Sequence, residues 1–445
     1  MKYAAYNNYK TSPTAWLDQL PTHWSAASLR WMSKRYAGGT PDKGNEAYWE
    51  DGEIPWINSG AVNDGYITRP SELITREGFA NSSAKWIPKD ALVMALAGQG
   101  KTKGMVAQLG IPTTCNQSMA ALIPDHRFAP RYLYYWLTAN YQNIRNLAGG
   151  EARDGLNLEM LGSIPCPVPP VGEQQTIALF LDGKTAQIDT LVAQKRQLIT
   201  KLKEKRSALI ARTVTRGLPP EAAKAVGLEP APAMKDSGVE WLGQIPWHWD
   251  IEKFSREVHI AEGQVNPEME PFASMFLIAP NHIDSGTGRL LDLETAAEQF
   301  AESGKYLCPA DAVIYSKIRP ALRKVVIAPE QCLCSADMYP LTCKKKLLNP
   351  YLYWLLLSDQ FSAWSVLEAD RVAMPKINRE TLNELRLPIP PQNEQVKIVE
   401  YLATETAKVD HMFTKADAVI TRLSEYRQAL ITSAVTGKID VRELA

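Results

Sequence analysis

The chain has 445 residues, with 45% hydrophobic and 22% charged side chains, and its 49 lysines and arginines balance its 49 aspartates and glutamates. This length suits two to four folded domains, and the zero net charge excludes a uniformly basic nucleic-acid binder. A local basic surface is compatible with a neutral total. The six cysteines contain no C-x2-C pair, so we predict no metal site.

The sequence has no features of a secreted or membrane protein. Its first residues contain no apolar leader segment, and no stretch approaches the ~20 apolar residues that span a bilayer. We therefore expect a cytoplasmic protein with free thiols and no membrane partner.

The first globular block, residues 1–165, is rich in glycine and aromatic residues between short apolar runs. Residues 54–57 and 91–97 predict strands that end in turns. Residues 131–137 predict a helix, because Pro130 stands where a helix start tolerates proline.

The second block, residues 239–387, repeats this order of elements. Residues 311–316 predict the counterpart strand, and residues 350–355 predict the counterpart helix. The openings of the two blocks also match, since the Trp-Leu-x-Gln motif and the later Pro-x-His-Trp motif of residues 16–24 recur at 241–249. The repeated histidines, His23 and His248, have no cysteine or carboxylate cluster beside them. We therefore expect them to pack on the tryptophans that follow them rather than to bind a metal.

Each block is followed by a long helical stretch that repeats in the same way. Residues 157–215 align with residues 378–436 without a gap, and more than a third of the aligned positions are identical. The motif Pro-x-Pro-Pro-x-x-Glu-Gln, which ends at Gln174 and at Gln395, opens both helices. An internal repeat of this kind predicts a pseudo-two-fold protein that suits targets or partners that come in pairs.

Apolar residues recur along both stretches at heptad spacing, which is typical of a coiled coil. The two seams are Leu181, Ile188, Leu191, Leu198, Leu202 and Leu209, and Leu402, Val409, Met412, Ala416, Val419, Leu423, Tyr426 and Leu430. We favour pairing of the two helices over the alternative that each seam covers only its own block, because both seams are long for one small domain to bury.

The predicted fold class is α+β, with two globular mixed α/β blocks alternating with two long helices. The predicted segments are block 1 (residues 1–165), helix 1 (166–216), a Pro/Ala-rich linker (217–238), block 2 (239–387) and helix 2 (388–445).

One stretch of block 1 satisfies a relaxed phosphate-binding pattern. Ala95 is followed after four residues by Gly100-Lys101-Thr102, but a P-loop needs a helix next, and Gly104, Gly110 and Pro112 disfavour one. Asp125 is a weak metal-binding partner for this pattern. We keep a P-loop enzyme as an alternative and predict no catalytic residue and no cofactor.

Basic turns are the better candidates for a binding site, because one follows the equivalent strand in each block. Lysines and arginines can hold phosphates, and Arg, Asn and Gln can bond base edges. For any single residue a solvated charged turn is an equal explanation, and the recurrence in both blocks favours DNA binding. The candidate DNA-binding residues are Lys101, Thr102, Lys103, Asn116 and Gln117 in block 1, and Lys317, Arg319, Arg323 and Lys324 in block 2.

The sequence resembles the specificity subunits of type I restriction-modification systems over nearly its whole length. The resemblance lies in the duplicated Pro-x-Pro-Pro-x-x-Glu-Gln motif, in the repeated Arg-x-Ala-Leu-Ile tail of each helix, and in Gly38-Gly39-Thr40-Pro41 of block 1. The stretch 316–324 is similar to a recurrent part of the recognition domains in this family. Block 1 carries Gly98-Gln99-Gly100-Lys101-Thr102 there instead, so the two blocks are expected to recognise different sequences.

The resemblance implies that each block is a target-recognition domain for one half of a split site on double-stranded DNA. It implies that the helices pack as an antiparallel coiled coil that sets the distance between the half-sites. Two methyltransferase subunits and the restriction subunits would then bind this chain and carry the adenine methylation and cleavage chemistry. A coiled-coil scaffold for proteins remains the second alternative, and it predicts no contact with DNA.

Overall fold

The structure, a computed structural model, describes residues 3–14, 16–98, 100–148, 155–369 and 375–444. The chain divides into two compact units, unit 1 with residues 1–195 and 419–445, and unit 2 with residues 196–418. Among the described residues, no helix combines the length and the apolar character needed to cross a membrane.

Unit 1 holds the first block, the start of the first long helix, and the end of the second long helix, Gln392–Val435. Its strands are β1 (Tyr9–Thr11), β2 (Gln19–Pro21), β3 (Ser25–Ser28), β4 (Ser33–Ala37), β5 (Ile54–Ile57), β6 (Tyr66–Ile67), β7 (Glu72–Ile74), β8 (Leu92–Ala95), β9 (Val106–Leu109), β10 (Thr114–Cys115), β11 (Met119–Pro124) and β12 (Pro165–Val168). Its helices are α1 (Arg76–Ala80), α2 (Pro130–Ala139), α3 (Tyr141–Asn146), α4 (Leu158–Ser163) and the first part of α5 (Val171–Arg216).

Two sheets build the core of unit 1, one in the order β4-β11-β8-β9-β6 and one in the order β10-β5-β7. Strand β8 is buried on both faces, which explains its unbroken apolar run. Leu92 and Met94 face a core that includes the aromatic residues of α2, while Val93 and Ala95 face a second core shared with β5 and β10. The predicted strands and the predicted helix after Pro130 are therefore correct.

Unit 2 holds the second block with the end of α5 and the start of the second long helix. Its strands are β13 (Met234–Asp236), β14 (Gln244–Pro246), β15 (Asp250–Lys253), β16 (Val258–Ile260), β17 (Leu277–Ile278), β18 (Tyr306–Cys308), β19 (Val313–Ser316), β20 (Val325–Ile327), β21 (Cys332–Cys334), β22 (Met338–Cys343) and β23 (Arg386–Ile389). Its further helices are α6 (Pro220–Ala225), α7 (Phe254–Glu257), α8 (Asn349–Leu357), α9 (Asp359–Glu368), α10 (Arg379–Glu384) and α11 (Gln392–Val435).

The larger sheet of unit 2 has the order β16-β22-β19-β20, which matches the β4-β11-β8-β9 part of the larger sheet of unit 1. Its smaller sheet has the order β17-β21-β18. The side chains of strand β19 face two different cores in alternation, as those of β8 do. Val313 and Tyr315 pack in the core that contains α8, and Ile314 packs in the core of the smaller sheet. The stretch predicted as a linker is folded within this unit, since Ala223 of α6 is buried and β13 pairs with β14. Its proline and alanine content therefore reflects a short helix and a hairpin as well as turns.

A glutamate and a glutamine in the first turn of α5 attach this helix to the first block. The Glu173 carboxylate is 8% exposed and accepts hydrogen bonds from the Tyr6 hydroxyl at 2.5 Å and from the Trp24 indole at 3.1 Å, and its other oxygen lies 2.9 Å from His23 Nε2. The neighbouring Gln174 is fully buried. These bonds satisfy polar groups whose burial would otherwise cost several kcal/mol.

The buried glutamine amide bonds only to backbone groups. In unit 1, Gln174 accepts from the Ala129 amide at 2.8 Å and donates to the carbonyls of Arg127 and Pro169. In unit 2, Gln395 accepts from Leu348 at 2.9 Å and donates to Lys346 and Pro390. The Pro-x-Pro-Pro-x-x-Glu-Gln motif is thus the sequence of this attachment, which we call the Glu-Gln clamp and define as Glu173 with Gln174 and Glu394 with Gln395.

The repeated histidines take part in the same clamp. His248 Nε2 lies 2.8 Å from Glu394, and the Trp249 indole donates to the same carboxylate at 3.1 Å. Each histidine therefore has a carboxylate partner that is distant in sequence. The sequence had predicted only packing on the neighbouring tryptophan. Among the described residues, no group of three or more His, Cys, Asp and Glu side chains could hold a metal ion.

The predicted heptad seams are buried only in part. Leu181, Ile188 and Leu202 are buried, whereas Leu191 and Leu198 are 44% and 42% exposed. On α11 the buried seam residues are Leu402, Val409, Ala416 and Leu430, and the exposed ones are Met412, Val419 and Tyr426. Leu181 and Ile188 belong to the core of block 1, the block that their own helix follows, as the alternative interpretation of the seams predicted. Leu430, on the helix that follows block 2, belongs to the same core, which that alternative did not predict.

Equivalent arginines join the two long helices inside each unit, but their surroundings differ. In unit 1, Arg427 pairs with Asp189 at 2.9 Å. In unit 2, Arg206 pairs with Asp410 at 3.0 Å and also donates to the carbonyls of Gly286 and Thr287, and its side chain is only 8% exposed. The same helix position therefore contacts a loop of the second block in unit 2, and in the described part of unit 1 it bonds to a helix residue, Asp189.

We predict that Gln174→Ala lowers the free energy of unfolding by about 3 kcal/mol, because it leaves the buried Pro169 carbonyl and two part-buried backbone groups without this partner. Gln395→Ala should have an effect of similar size. Denaturant unfolding measures both. The control is Gln392→Ala, which removes an exposed amide in the first turn of α11 and should cost less than ~0.5 kcal/mol. An equal loss of unfolding free energy in all three variants would contradict the stabilising role of the clamp.

The two arginines give a second, internally matched prediction. Arg206→Ala should destabilise the protein by about 3 kcal/mol, because it removes charge-assisted bonds to two carbonyls and one carboxylate. Arg427→Ala removes a single ion pair with an exposed carboxylate and should cost about 1 kcal/mol or less. Equal losses in the two variants would show that the loop contacts of Arg206 contribute nothing.

Candidate nucleic-acid interface

The two basic turns occupy equivalent places in the two units. In unit 1, residues 96–105 connect the antiparallel strands β8 and β9. In unit 2, residues 317–324 connect the antiparallel strands β19 and β20. Each turn is therefore the loop of a hairpin in the larger sheet, after the strand that the sequence predicted.

A second segment lies beside each hairpin loop. In unit 1 the Leu96 amide donates to the Ser118 carbonyl at 2.8 Å, and in unit 2 the Lys317 amide donates to the Asp337 carbonyl at 3.0 Å. These segments, 116–118 and 335–337, precede the strands β11 and β22. Because antiparallel neighbours begin and end at the same edge, the predicted residues Asn116 and Gln117 lie at the same end of the sheet as the basic turn.

The Gly38-Gly39-Thr40 segment completes this end of unit 1. The amides of Gly38 and Gly39 donate to the carbonyls of Met119 and Cys115, and the Thr40 hydroxyl donates to the Gln117 side chain. A Cβ atom on Gly38 would lie 2.1 Å from the Cys115 carbonyl oxygen, so only glycine fits there. We call residues 38–40, 96–105 and 116–118 the hairpin end of unit 1, and residues 317–324 and 335–337 the hairpin end of unit 2.

The predicted residues of unit 1 differ in their exposure. Lys101 is exposed, and its carbonyl accepts a hydrogen bond from the Tyr141 hydroxyl at 2.6 Å. Gln117 is exposed and Thr102 is half-buried, whereas Lys103 is only 3% exposed. The side-chain oxygen of Asn116, Oδ1, is buried and has no hydrogen-bond partner among the described residues. Gln99, which the sequence analysis placed in this loop, lies outside the described residues.

The predicted residues of unit 2 divide in the same way. Arg319 is exposed, and Lys317 is half-buried with its ammonium group 5.3 Å from the centre of the Tyr339 ring. Arg323 binds Asp359 and donates to the Ser207 hydroxyl at 3.1 Å. Lys324 donates to the Pro280 carbonyl. Arg323 and Lys324 therefore have protein partners that hold the hairpin in place.

Backbone geometry shows that the hairpin of unit 2 is held in a strained form. Arg319 and Arg323 have φ of 48° and 47°, in the left-handed region that favours glycine. Such strain persists where surrounding contacts determine the conformation. Here the Arg319 amide donates to the Pro375 carbonyl at 2.8 Å, and Asp359 holds the Arg323 side chain. No sequence signal near the hairpin pointed to Asp359 or Ser207, because both are remote in the chain.

The P-loop alternative does not fit this geometry. The residues after Thr102 lead into strand β9, whereas phosphate binding by a P-loop needs the N-terminus of a helix. Asp125, its weak metal-binding partner, instead pairs with Arg127, and hydrogen bonds from Arg127 hold the pKa of the Asp125 carboxyl below its ordinary value. Burial raises the pKa of the Cys115 thiol beneath the Gly38 backbone to about 12, so this thiol stays neutral at physiological pH.

Comparison with known proteins identifies the family. The model of the type I restriction modification DNA specificity domain matches residues 32–201 and 274–418. The type I restriction enzyme EcoDI specificity subunit of Escherichia coli is 30% identical over 314 residues, which cover 69% of this chain and 70% of the relative. The EcoR124I/EcoR124II specificity subunit of Escherichia coli is 30% identical over 200 residues, which cover 43% of this chain and 46% of the relative.

Solved structures agree on the fold. A chain from a study of complex assembly and conformational transition of the type I R-M system matches with a TM-score of 0.67 and 16% identity, over 94% of this chain and 99% of its own. The HsdS subunit from Thermoanaerobacter tengcongensis matches with a TM-score of 0.50 and 16% identity, over 94% and 98%. The family model covers well over half of the sequence, and the chain therefore belongs to the type I restriction-modification DNA specificity family.

The anchoring of the second hairpin leads to a prediction on its dynamics. Asp359→Ala removes the partner of Arg323, so the amides of residues 317–324 should exchange about tenfold faster, as expected for a local loss of about 1.4 kcal/mol. Hydrogen exchange measured by mass spectrometry tests this. Glu368→Ala, at the exposed far end of the same helix, is the control and should leave exchange unchanged. Unchanged exchange in Asp359→Ala would contradict the anchoring role.

Proposed function

We propose that the chain is the DNA-recognition subunit of a type I restriction-modification complex, in which each block recognises one half of a bipartite site. The observation that carries this proposal is the pair of hairpin ends. Two units that share four strands of the larger sheet present basic loops at the same end of that sheet, and the side chains of these loops differ between the units. A shared scaffold with different exposed residues is suited to two different half-sites on one DNA.

In this proposal, the exposed members of the candidate DNA-binding residues contact the DNA directly. Lys101 and Gln117 in unit 1 and Arg319 in unit 2 are exposed at the hairpin ends. Arginine bonds guanine with two hydrogen bonds, glutamine pairs in the same way with adenine, and lysine binds phosphate or guanine. Thr102, Asn116 and Lys317 border these contacts. Lys103, Arg323 and Lys324, which are buried or bonded within the protein, set the shape of the loops.

The two long helices serve in this proposal as an antiparallel coiled coil that fixes the distance between the half-sites. A helix of 46 residues is roughly 70 Å long at 1.5 Å per residue, and half-sites one DNA turn apart are separated by about 34 Å. Support comes from the repeated helix-to-helix ion pairs, Arg427 with Asp189 and Arg206 with Asp410. In this proposal the internal repeat supplies the pseudo-two-fold symmetry that suits a bipartite site.

The subunit works with methyltransferase and restriction subunits, and its pseudo-symmetry suits two methyltransferase subunits per chain. Base flipping and adenine methylation belong to those partners, so the chain needs no cofactor and no catalytic residue. Its place of action is the cytoplasm, where it has access to chromosomal and invading DNA. The scaffold alternative predicts that no DNA is protected even when all partners are present.

Single-molecule methylome sequencing of the host, with and without this gene, tests the proposal. We expect one bipartite motif, with two short defined halves around an unspecified gap, to lose its methyladenine on deletion. Restoring the gene on a plasmid should restore the same motif. An unchanged methylome, in a host that expresses the chain and its methyltransferase partner, would contradict DNA recognition by this subunit.

Arg319→Ala should weaken binding of the assembled methyltransferase complex to its cognate duplex by about 1–3 kcal/mol, and the loss should be confined to one base pair of one half-site. Competition with duplexes substituted at each position measures this. Arg386→Ala, an exposed arginine on β23, is the control and should have no effect. An equal loss on all sequences would make Arg319 a phosphate contact.

A further inference from the structure

Three lysines of unit 1 lie over aromatic rings beside the hairpin end. The Lys34 and Lys85 ammonium groups are 6.0 Å and 5.7 Å from the centre of the Tyr36 ring. Lys43 is 5.5 Å from the Trp49 ring. The Tyr36 hydroxyl donates to the Trp86 carbonyl at 2.5 Å, and the Trp86 ring is 46% exposed. We call Lys34, Tyr36, Lys43, Lys85 and Trp86 the lysine-aromatic patch.

The patch continues the hairpin end along the edge of the larger sheet. Strand β4, which carries Lys34 and Tyr36, pairs with β11 and forms one edge of that sheet. Tyr36 stands two residues before Gly38, and a Cβ on Gly39 would touch the backbone of Ala84, which precedes Lys85. The indole of Trp56 beneath Lys43 donates to the Gly39 carbonyl at 3.0 Å. The patch is therefore fixed to the same backbone that carries Thr40 and Gln117.

The positive charges of the patch are not neutralised by the protein. Lys34, Lys43 and Lys85 are exposed, and within the described parts of the chain none of them forms an ion pair. An exposed cation over an aromatic ring gains only about 0.5–1 kcal/mol, and the ring leaves its charge in place. Lys34 and Lys85 lie over the same ring and repel one another, and a bound anion would relieve that repulsion.

The three patch lysines are not repeated at the equivalent edge of unit 2, where Arg379 instead donates to the carbonyls of Ile260 and Ala261. The equivalent edge strand β16 carries His259 at the position of Lys34, and Ala261 stands at the position of Tyr36. Both units form the four corresponding strands of the larger sheet without sharing these cations. The lysines of unit 1 are therefore available for a role that belongs to this unit alone.

We propose that the lysine-aromatic patch binds backbone phosphates of the DNA next to the half-site recognised by unit 1. This inference rests on the proposed function, since it needs DNA at the hairpin end. Lysine ammonium groups bind phosphate as point charges, and backbone contacts of this kind orient a protein on the duplex without recognising bases. The footprint of unit 1 then extends beyond its base contacts along strand β4, and that of unit 2 does not extend along β16.

The salt dependence of binding tests the patch. The assembled methyltransferase complex is titrated with its cognate duplex and with a scrambled duplex, between about 50 and 200 mM salt. The triple variant Lys34→Ala, Lys43→Ala, Lys85→Ala should lower the slope of log K against log salt by about 2–3, since each phosphate contact contributes about 0.9. Both duplexes should lose affinity by the same factor, and the methylated motif should stay the same.

Two matched variants complete the test. Lys235→Ala is the control, because Lys235 also lies over an exposed tryptophan, at 5.6 Å from the Trp247 ring, but away from the hairpin ends. It should leave the slope unchanged. Replacing the three patch lysines by arginine should keep the wild-type slope, because arginine preserves the charge.

Other outcomes would overturn the inference in distinguishable ways. Wild-type affinity for DNA with an unchanged slope in the triple variant would reject the patch and leave the proposed function intact. Loss of methyltransferase binding with an unchanged slope would make the patch a protein-docking surface. A changed motif would make it a base contact. Absence of specific DNA binding in the wild-type complex would reject the proposed function itself.

Discussion

The structure depends on a buried carboxylate and a buried amide at the start of each long helix. Glu173 and Glu394 lie out of water and are stable there only because His and Trp side chains from the opening of the same block bond to them. The adjacent Gln174 and Gln395 bond to backbone of the same block. Each block is thereby attached to the first turn of the helix that follows it, which fixes the direction in which the helix leaves the block.

This attachment separates the two tasks of each unit. The clamp and the aromatic core around α2 or α8 lie where the long helices begin. The exposed side chains at the hairpin end can therefore vary without loss of stability. Block 2 adds a further restraint, since Asp359 and Ser207 hold Arg323 of its hairpin. Block 1 instead supports its loop through the Tyr141 hydroxyl. The two loops can therefore differ in length and charge on one sheet plan.

Much of this organisation follows from the sequence, for identifiable reasons. The run 91–97 predicted a strand because both of its faces are buried, and the repeated proline motif predicted where each long helix begins. Partners that are remote in sequence escaped prediction, as with His23 and Glu173, because periodicity describes local structure only. The exposed Leu191 and Leu198 show a second limit, since heptad spacing does not tell which seam positions are covered. The sequence made Lys101 and Lys103 equal candidates for DNA contact, but only Lys101 is exposed in the structure.

The central claim is that each block recognises its own half-site. The most direct measurement is the methylome of a host whose chain carries residues 16–156 in place of residues 241–377, so that both blocks are block 1 and both long helices are unchanged. The account predicts methylation at a new bipartite motif in which the half-site of block 1 occurs twice, in inverted orientation. Methylation that still occurs at the original motif, with both of its halves unchanged, would contradict it.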